Sequence, residues 1–107
     1  MPYTEYAGNM HLHTLYSDGT WTHRGVAEAA AQAGLDYIIA TDHNVWVNGV
    51  EGYYGKTLLL VGEEVHDCRR VPQANHMLVY GAERELSPQA HNPQQLLDAV
   101  RAAEGLA

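Results

Sequence analysis

The runs Tyr37-Ile-Ile-Ala40 and Leu58-Leu-Leu-Val61 contain no charged side chain and no polar alternation. A strand with one wet face alternates apolar and polar residues, whereas a strand covered on both faces reads as a continuous apolar run. These two runs therefore predict buried strands, and buried strands need helices to cover them. Ala7 to Thr14 reads as a first short strand and Met77-Leu-Val-Tyr80 as a fourth. Between the first and second, Thr20 or Thr22 can cap a helix that runs to Gly34. Val26, Ala29, Ala30 and Ala33 give that helix an apolar stripe, and Gly34 suits the C′ position. Asn92-Pro93 opens a second helix with proline at its first position. Leu96, Leu97, Val100 and Ala103 are expected on its core face, with Gly105 ending it. The segment Val45 to Gly55, with three glycines, reads as an irregular loop. Strand, helix, strand in this order predicts an α/β fold with mostly parallel strands.

Composition narrows the function. The 107 residues suffice for one small domain, and a hydrophobic share of 46% fits a globular chain. A net charge of −7 would repel a phosphate backbone, so general nucleic-acid binding is not expected. Bound divalent cations would reverse the local potential without altering that count. No apolar run approaches the roughly 18 residues of a membrane helix, and no membrane partner is expected. The N-terminus lacks a basic and an apolar region of the secretory kind, and Cys68 is the single cysteine, so a cytoplasmic location is the expectation. Cys68 itself is read as a small buried or loop thiol rather than a reactive or metal-binding one. Seven histidines stand against six Lys and Arg. That balance points toward metals.

The chemistry gathers where apolar runs stop. Side chains at i and i+2 share a face of a strand, so His11 and His13 project together while Leu12 points into apolar packing. The second run finishes in Thr41-Asp42-His43-Asn44, and the third in Gly62-Glu63-Glu64. In parallel α/β proteins the carboxyl ends of strands are where ligands and catalytic groups gather. Asp18 joins from the loop after the first strand, although Ser17-Asp18-Gly19 is also an ordinary turn sequence. Of Glu63 and Glu64, one is expected to face inward and one outward. His23, His66 and His91 lie outside the cluster and read as solvated surface residues. Trp46, Tyr53 and Tyr54 read as loop packing. Arg69 and Arg70 are either a solvated loop pair or a clamp for a substrate anion.

Taken in order, these pieces resemble the PHP superfamily, named for polymerase-associated and histidinol-phosphatase domains. His11-Leu-His-Thr14 followed by Tyr16-Ser-Asp-Gly19 resembles its first motif. Gly34-Leu-Asp-Tyr-Ile-Ile-Ala-Thr-Asp-His-Asn44 is similar to its second, and Gly62-Glu-Glu-Val65 to its third. Asn75-His-Met-Leu-Val-Tyr-Gly81 resembles the segment that adds a further histidine. The resemblance implies a distorted barrel, (β/α)7, of which this α/β chain would hold the first strands and helices. Residues 1–107 would then be the amino-terminal portion of a single PHP domain, apparently truncated. Gly105-Leu106-Ala107 reads as a helix stop followed by the beginning of a further strand.

By the same resemblance, two or three divalent metal ions (zinc, manganese or iron) would be held at the barrel mouth. His11, His13 and Glu64 would serve one ion. Glu64 would bridge to a second held by His76, and Asp18 and His43 would serve a third. Asp42 and His43 are the candidate catalytic residues, Asp42 as the partner that orients Thr41 or His43. His76 lies at the start of its strand, so that strand must run antiparallel to Thr57–Val61 if it is to reach the same rim. The implied activity is metal-dependent phosphoester hydrolysis of a small phosphorylated substrate, with Arg69 or Arg70 positioning the phosphate. A water acidified from about 15.7 toward about 7 would be the nucleophile. Two alternatives stay open. One is a carbamate or ester hydrolase of the same superfamily. The other is a metal-binding, catalytically incomplete fragment that needs self-association or a complementing carboxy-terminal half.

Overall fold

A computed structural model describes residues 2–107. The element order is β1 (Gly8–Leu12), α1 (His23–Gln32), β2 (Tyr37–Ala40), β3 (Gly52–Tyr54), β4 (Thr57–Val65), β5 (Met77–Tyr80), a short 3-10 turn (Ser87–Gln89) and α2 (Pro93–Ala102). The result is a mixed α/β sheet of five strands with two helices.

Helix α1 begins where Thr22 accepts a hydrogen bond from Gly25 N. It ends with Gly34 at φ 82 and Leu35 N donating to Ala30 O, the closure that a C′ glycine permits. Asn92 caps α2 by accepting from the Gln94 and Gln95 N–H groups. At its other end the left-handed residue is Glu104 (φ 60), one position before the expected stop at Gly105. Gly105 N donates to Val100 O, and a Cβ on Gly105 would sit 2.9 Å from Tyr80 O. Glycine is therefore needed there for close approach. Leu96 and Val100 are buried as expected, but Leu97 is 43% exposed and lies off the core face.

Strands β1, β2 and β4 pair in parallel. Two pairings are antiparallel, so the sheet is evenly mixed rather than mostly parallel. One comes from β3, inside the segment expected to be loop. Tyr54 and Thr57 pair across the two-residue turn Gly55-Lys56, with Gly55 at φ 63 in the position where a type II′ hairpin takes glycine. The other is β5 against the second half of β4, the reversal that His76 requires. Strand β1 stops at Leu12, short of Thr14, while β4 runs four residues beyond Val61 to include both glutamates.

The pleat of β4 sorts its side chains. Leu59 packs with Ala27, Ala30, Ile38 and Ala40 beneath α1, and Val65 packs with Val79, Leu96 and Val100 beneath α2. Both helices thus cover the odd-numbered face of β4. Leu58, Leu60 and Glu64 occupy the other face. Across it, Tyr80 Oη donates to Met10 O at 2.8 Å, joining β5 to β1 over two intervening strands. The sheet therefore bends toward the face that carries Glu64. At the far end, Leu106 and Tyr80 exchange two backbone hydrogen bonds of 2.8 Å, an isolated antiparallel bridge along β5.

Candidate metal centre

Glu64 is the centre of the cluster. It is 5% exposed, on the concave face of β4, and both carboxylate oxygens are engaged. Oε1 lies 2.9 Å from His11 Nε2 and 2.7 Å from His13 Nε2, and Oε2 lies 3.0 Å from His76 Nδ1. His43 Nδ1 stands 3.8 Å from Oε1. A second carboxylate, Asp18, lies 2.6 Å from His13 Nδ1 and 3.3 Å from His43 Nε2. Six side chains from β1, the two following loops, β4 and the approach to β5 thus converge. They form three overlapping groups whose donor atoms lie within 4.8 Å of one another: His11, His13, Glu64; His13, Asp18, His43; and His43, Glu64, His76.

Local structure explains each position. His11 is the penultimate residue of β1 and His13 the first after it, so the period of two survives the strand's end. His43 is held against β4 by Glu64 N donating to Asp42 O and Asn44 N donating to Glu64 O, both at 3.0 Å. Asn44 takes φ 52, and its side chain accepts from His66 N at 2.9 Å. His76 reaches the rim because β5 runs opposite to β4.

The electrostatics favour a carboxylate. Burial opposes the ionisation of Glu64, but hydrogen bonds from His11, His76 and His13 and the nearby His43 outweigh it, bringing its pKa to about 2. Asp18 is also lowered, because partial desolvation is outweighed by His13 and His43. Its neighbour in sequence to Glu64 behaves oppositely. Glu63 lies on the helix face, 2% exposed, and burial together with the Glu85 carboxyl raises its pKa to about 9. The two glutamates lie on opposite faces as expected, but neither points outward to solvent: Glu64 sits in the cluster and Glu63 in the core.

Other residues depart from expectation. Asp42 contributes no atom to the three groups. Its carboxylate faces the loop after β1, accepting from Thr14 N and Thr14 Oγ1, each at 2.7 Å, and from Ser17 Oγ at 2.6 Å. It therefore does not orient Thr41 or His43 through its side chain; its backbone carbonyl bonds β4 instead. His23 is buried rather than solvated. Its ring meets Tyr16 edge-on, and its Nε2 stands 3.7 Å from Asp42 Oδ2. His66 is also not a free surface residue. Its ring centroid is 4.3 Å from that of His76 and 5.0 Å from that of His43, and its buried Nδ1 has no hydrogen-bond partner. Burial and the two neighbouring histidines lower its pKa. Glu64-x-His66 repeats the i, i+2 spacing of His11-x-His13, a signal that becomes legible once β4 extends to Val65. His91 is exposed as expected.

Neither arginine enters the cluster. Arg69 pairs with Asp67 at 3.3 Å and lines a cleft of about 320 Å³ with Asn44, His66 and His91. Arg70 lines a smaller cavity of about 110 Å³ that His66 also borders. Among the described residues no helix is long and apolar enough to cross a membrane.

Fold and cluster together define a mixed α/β domain with groups of His, Asp and Glu side chains that could hold a metal ion. No family model matches the chain. It is similar to the DNA polymerase/3′-5′ exonuclease PolX of Bacillus subtilis (strain 168), with 28% identity over 81 residues, or 76% of this chain. The chain spans only 14% of the length of that relative.

Proposed function

We propose that this chain is the amino-terminal portion of a PHP-type domain, a partial (β/α)7 barrel, and that its six-residue cluster holds divalent cations for phosphoric ester hydrolysis. The observation that carries this reading is Glu64, one buried carboxylate whose two oxygens face three histidines drawn from the β1 region and the start of β5. The motif resemblance and the similarity to a protein named as a polymerase and exonuclease support the reaction class.

The donors fit such ions. Neutral imidazole with carboxylate oxygen suits zinc, manganese and iron alike. Two donors on one tetrahedral zinc stand about 3.3 Å apart, given bonds of about 2.0–2.1 Å. The Glu64 to histidine separations are 2.7–3.0 Å, so a parting of a few tenths of an ångström admits an ion. A neutral imidazole offers one lone pair and one N–H. If His13 Nε2 ligates beside Glu64, its Nδ1–H donates to Asp18 Oδ1, and Asp18 Oδ2 is left to act with His43. Carboxylate–histidine pairs of this kind fix ring orientation in metal sites. By this count His11, His13 and Glu64 give one ion three ligands, whereas Asp18 with His43 gives another only two. The first site is the tighter.

When bound, the cations would supply an acidified water and would neutralise charge on the phosphoryl oxygens. The protein's part is to hold Glu64 ionised at neutral pH and to place the donor atoms on one rim. Arg69, in the cleft lined by His66 beside the cluster, would bind an anionic part of a small phosphorylated substrate. The exposed concave face, which includes Tyr53 and the half-buried Leu58 and Leu60, is where a complementing segment or second copy would pack.

Manganese or zinc titration of the purified chain, with hydrolysis of p-nitrophenyl phosphate, bis-p-nitrophenyl phosphate and p-nitrophenyl acetate, tests the reading. Metal binding with phosphoester turnover lost in His11→Ala supports it. Binding without turnover favours the incomplete fragment, and acetate turnover alone favours an ester hydrolase. A chain that binds neither metal overturns the proposal.

A further inference from the structure

Asp42 is among the most enclosed side chains of the protein, 1% exposed, yet it lies one residue from His43 and offers the cluster nothing directly. All three hydrogen bonds of its carboxylate go to the segment Thr14–Ser17, which is 25 to 28 residues away in sequence. Thr14 is the hub of that segment. Its carbonyl accepts from Ser17 N at 3.1 Å and Gly19 N at 2.9 Å, and its hydroxyl accepts from Tyr16 N at 3.2 Å. The turn is packed so closely that a Cβ on Gly19 would overlap the His13 carbonyl. Asp18 rides on this turn with its side chain 64% exposed, and its side-chain contacts are with His13 and His43.

We infer that Asp42 is a positioning residue: its buried carboxylate clamps the Thr14–Gly19 turn and so sets where Asp18 stands relative to His43. The inference rests on the metal reading above. Its physical basis is that three short hydrogen bonds converge on a side chain that is 1% exposed, where water competes little for them. The Asp42 carbonyl meanwhile accepts from Glu64 N. One residue therefore ties the Asp18 turn, the His43 segment and the Glu64 strand to a common frame. Removing the clamp leaves Asp18 on an untethered turn, whereas His11, Glu64 and His76 keep their own strand supports.

The test is manganese binding to the full 107-residue chain, followed by calorimetry and by electron paramagnetic resonance. In Asp42→Asn the weaker class of sites, that of Asp18 and His43, is expected to lose roughly 10- to 100-fold in affinity, as outer partners of metal ligands commonly do. The tighter class, that of His11, His13 and Glu64, is expected to change far less. Ser17→Ala should shift the same class in the same direction, and Ser17→Thr, which keeps the hydroxyl, should restore it. These serine variants decide the matter should Asp42→Asn fail to fold. Folded variants that bind both classes as the wild type does, or that weaken both equally, overturn the positioning role. A wild-type chain that binds no manganese overturns the metal reading, and this inference with it.

Discussion

Glu64 Oε2 lies 3.0 Å from His76 Nδ1, although the two residues belong to neighbouring segments that run in opposite directions. The same carboxylate takes His11 and His13 on its other oxygen. Glu64→Gln retains the shape but loses the charge, and its amide nitrogen cannot act as a carboxylate oxygen. Removing the carboxylate shared by two groups is expected to reduce metal affinity by on the order of 100-fold or more, measured by competition with a chelating dye. His11→Ala, which removes a ligand from one group only, should cost less.

Glu64 also predicts a pH dependence of stability. Its pKa in the folded chain, about 2, lies below the ordinary glutamate value of 4.5. A depressed carboxyl stabilises the fold above its unfolded pKa and ceases to do so as pH falls through the folded one. The loss is therefore expected between about pH 4.5 and about pH 2. Urea midpoints taken across that window should fall more steeply for the wild type than for Glu64→Gln.

Glu63 has the opposite sign. Its Oε1 accepts from Leu86 N, and protonation lets the acid donate to Glu85, whose own oxygens accept from Trp46 N and Ser87 N. With the folded pKa raised from 4.5 to about 9, its favourable contribution is complete below pH 4.5 and declines as pH rises toward 9. Glu63→Gln keeps a donor and an acceptor without an ionisable proton. It is expected to be more stable than the wild type at pH 8–9 by on the order of 1–3 kcal/mol, with the advantage vanishing near pH 4. Thermal melts across this range give the comparison.

Asn44 holds the His43 segment through its backbone and its side chain together. Replacement by alanine keeps a Cβ in the left-handed region, removes the short polar side chain that lets asparagine tolerate it, and removes the bond to His66 N. Asn44→Gly removes the bond but relieves the backbone. Alanine is therefore expected to destabilise by about 2 kcal/mol and glycine by less, in urea denaturation.

How much of this was legible in the sequence depended on the range of the interaction. The i, i+2 histidines and the polar ends of apolar runs located His11, His13, His43 and Glu64, because strand period and strand ends are local properties. The reversal of β5 followed from requiring His76 to reach the same rim. Strand β3 escaped because Gly52-Tyr-Tyr54 is too short to show alternation, and its pairing is defined by β4 rather than by itself. His66 escaped because β4 was expected to end at Val61, and the extra length comes from pairing with β5. His23 follows the Thr22 cap, a position that ordinarily faces water; the buried Asp42 beside it comes from the segment after β2. The role of Asp42 was not legible from its neighbours Thr41 and His43, since its partners lie more than twenty residues upstream.

Gly62 tests whether the geometry of β4 and β5 governs the site at a distance. It pairs with Tyr80, and a Cβ there would sit 2.5 Å from Val79 O, 3.2 Å from Tyr80 Cδ1 and 3.3 Å from Thr41 Cγ2. Two of these neighbours are fixed by sheet pairing and burial, so the added methyl group must push β5 away from β4. Overpacking of this kind costs about 1–3 kcal/mol. Gly34→Ala serves as a comparison, because its Cβ would meet nothing within 4 Å and only its φ of 82 is strained. Both variants are expected to lose stability. Only Gly62→Ala should also weaken metal binding, since displacing β5 draws His76 from Glu64 while leaving His11 and His13 in place. Equal metal affinity in the two variants would show that the position of His76 does not depend on this strand pairing.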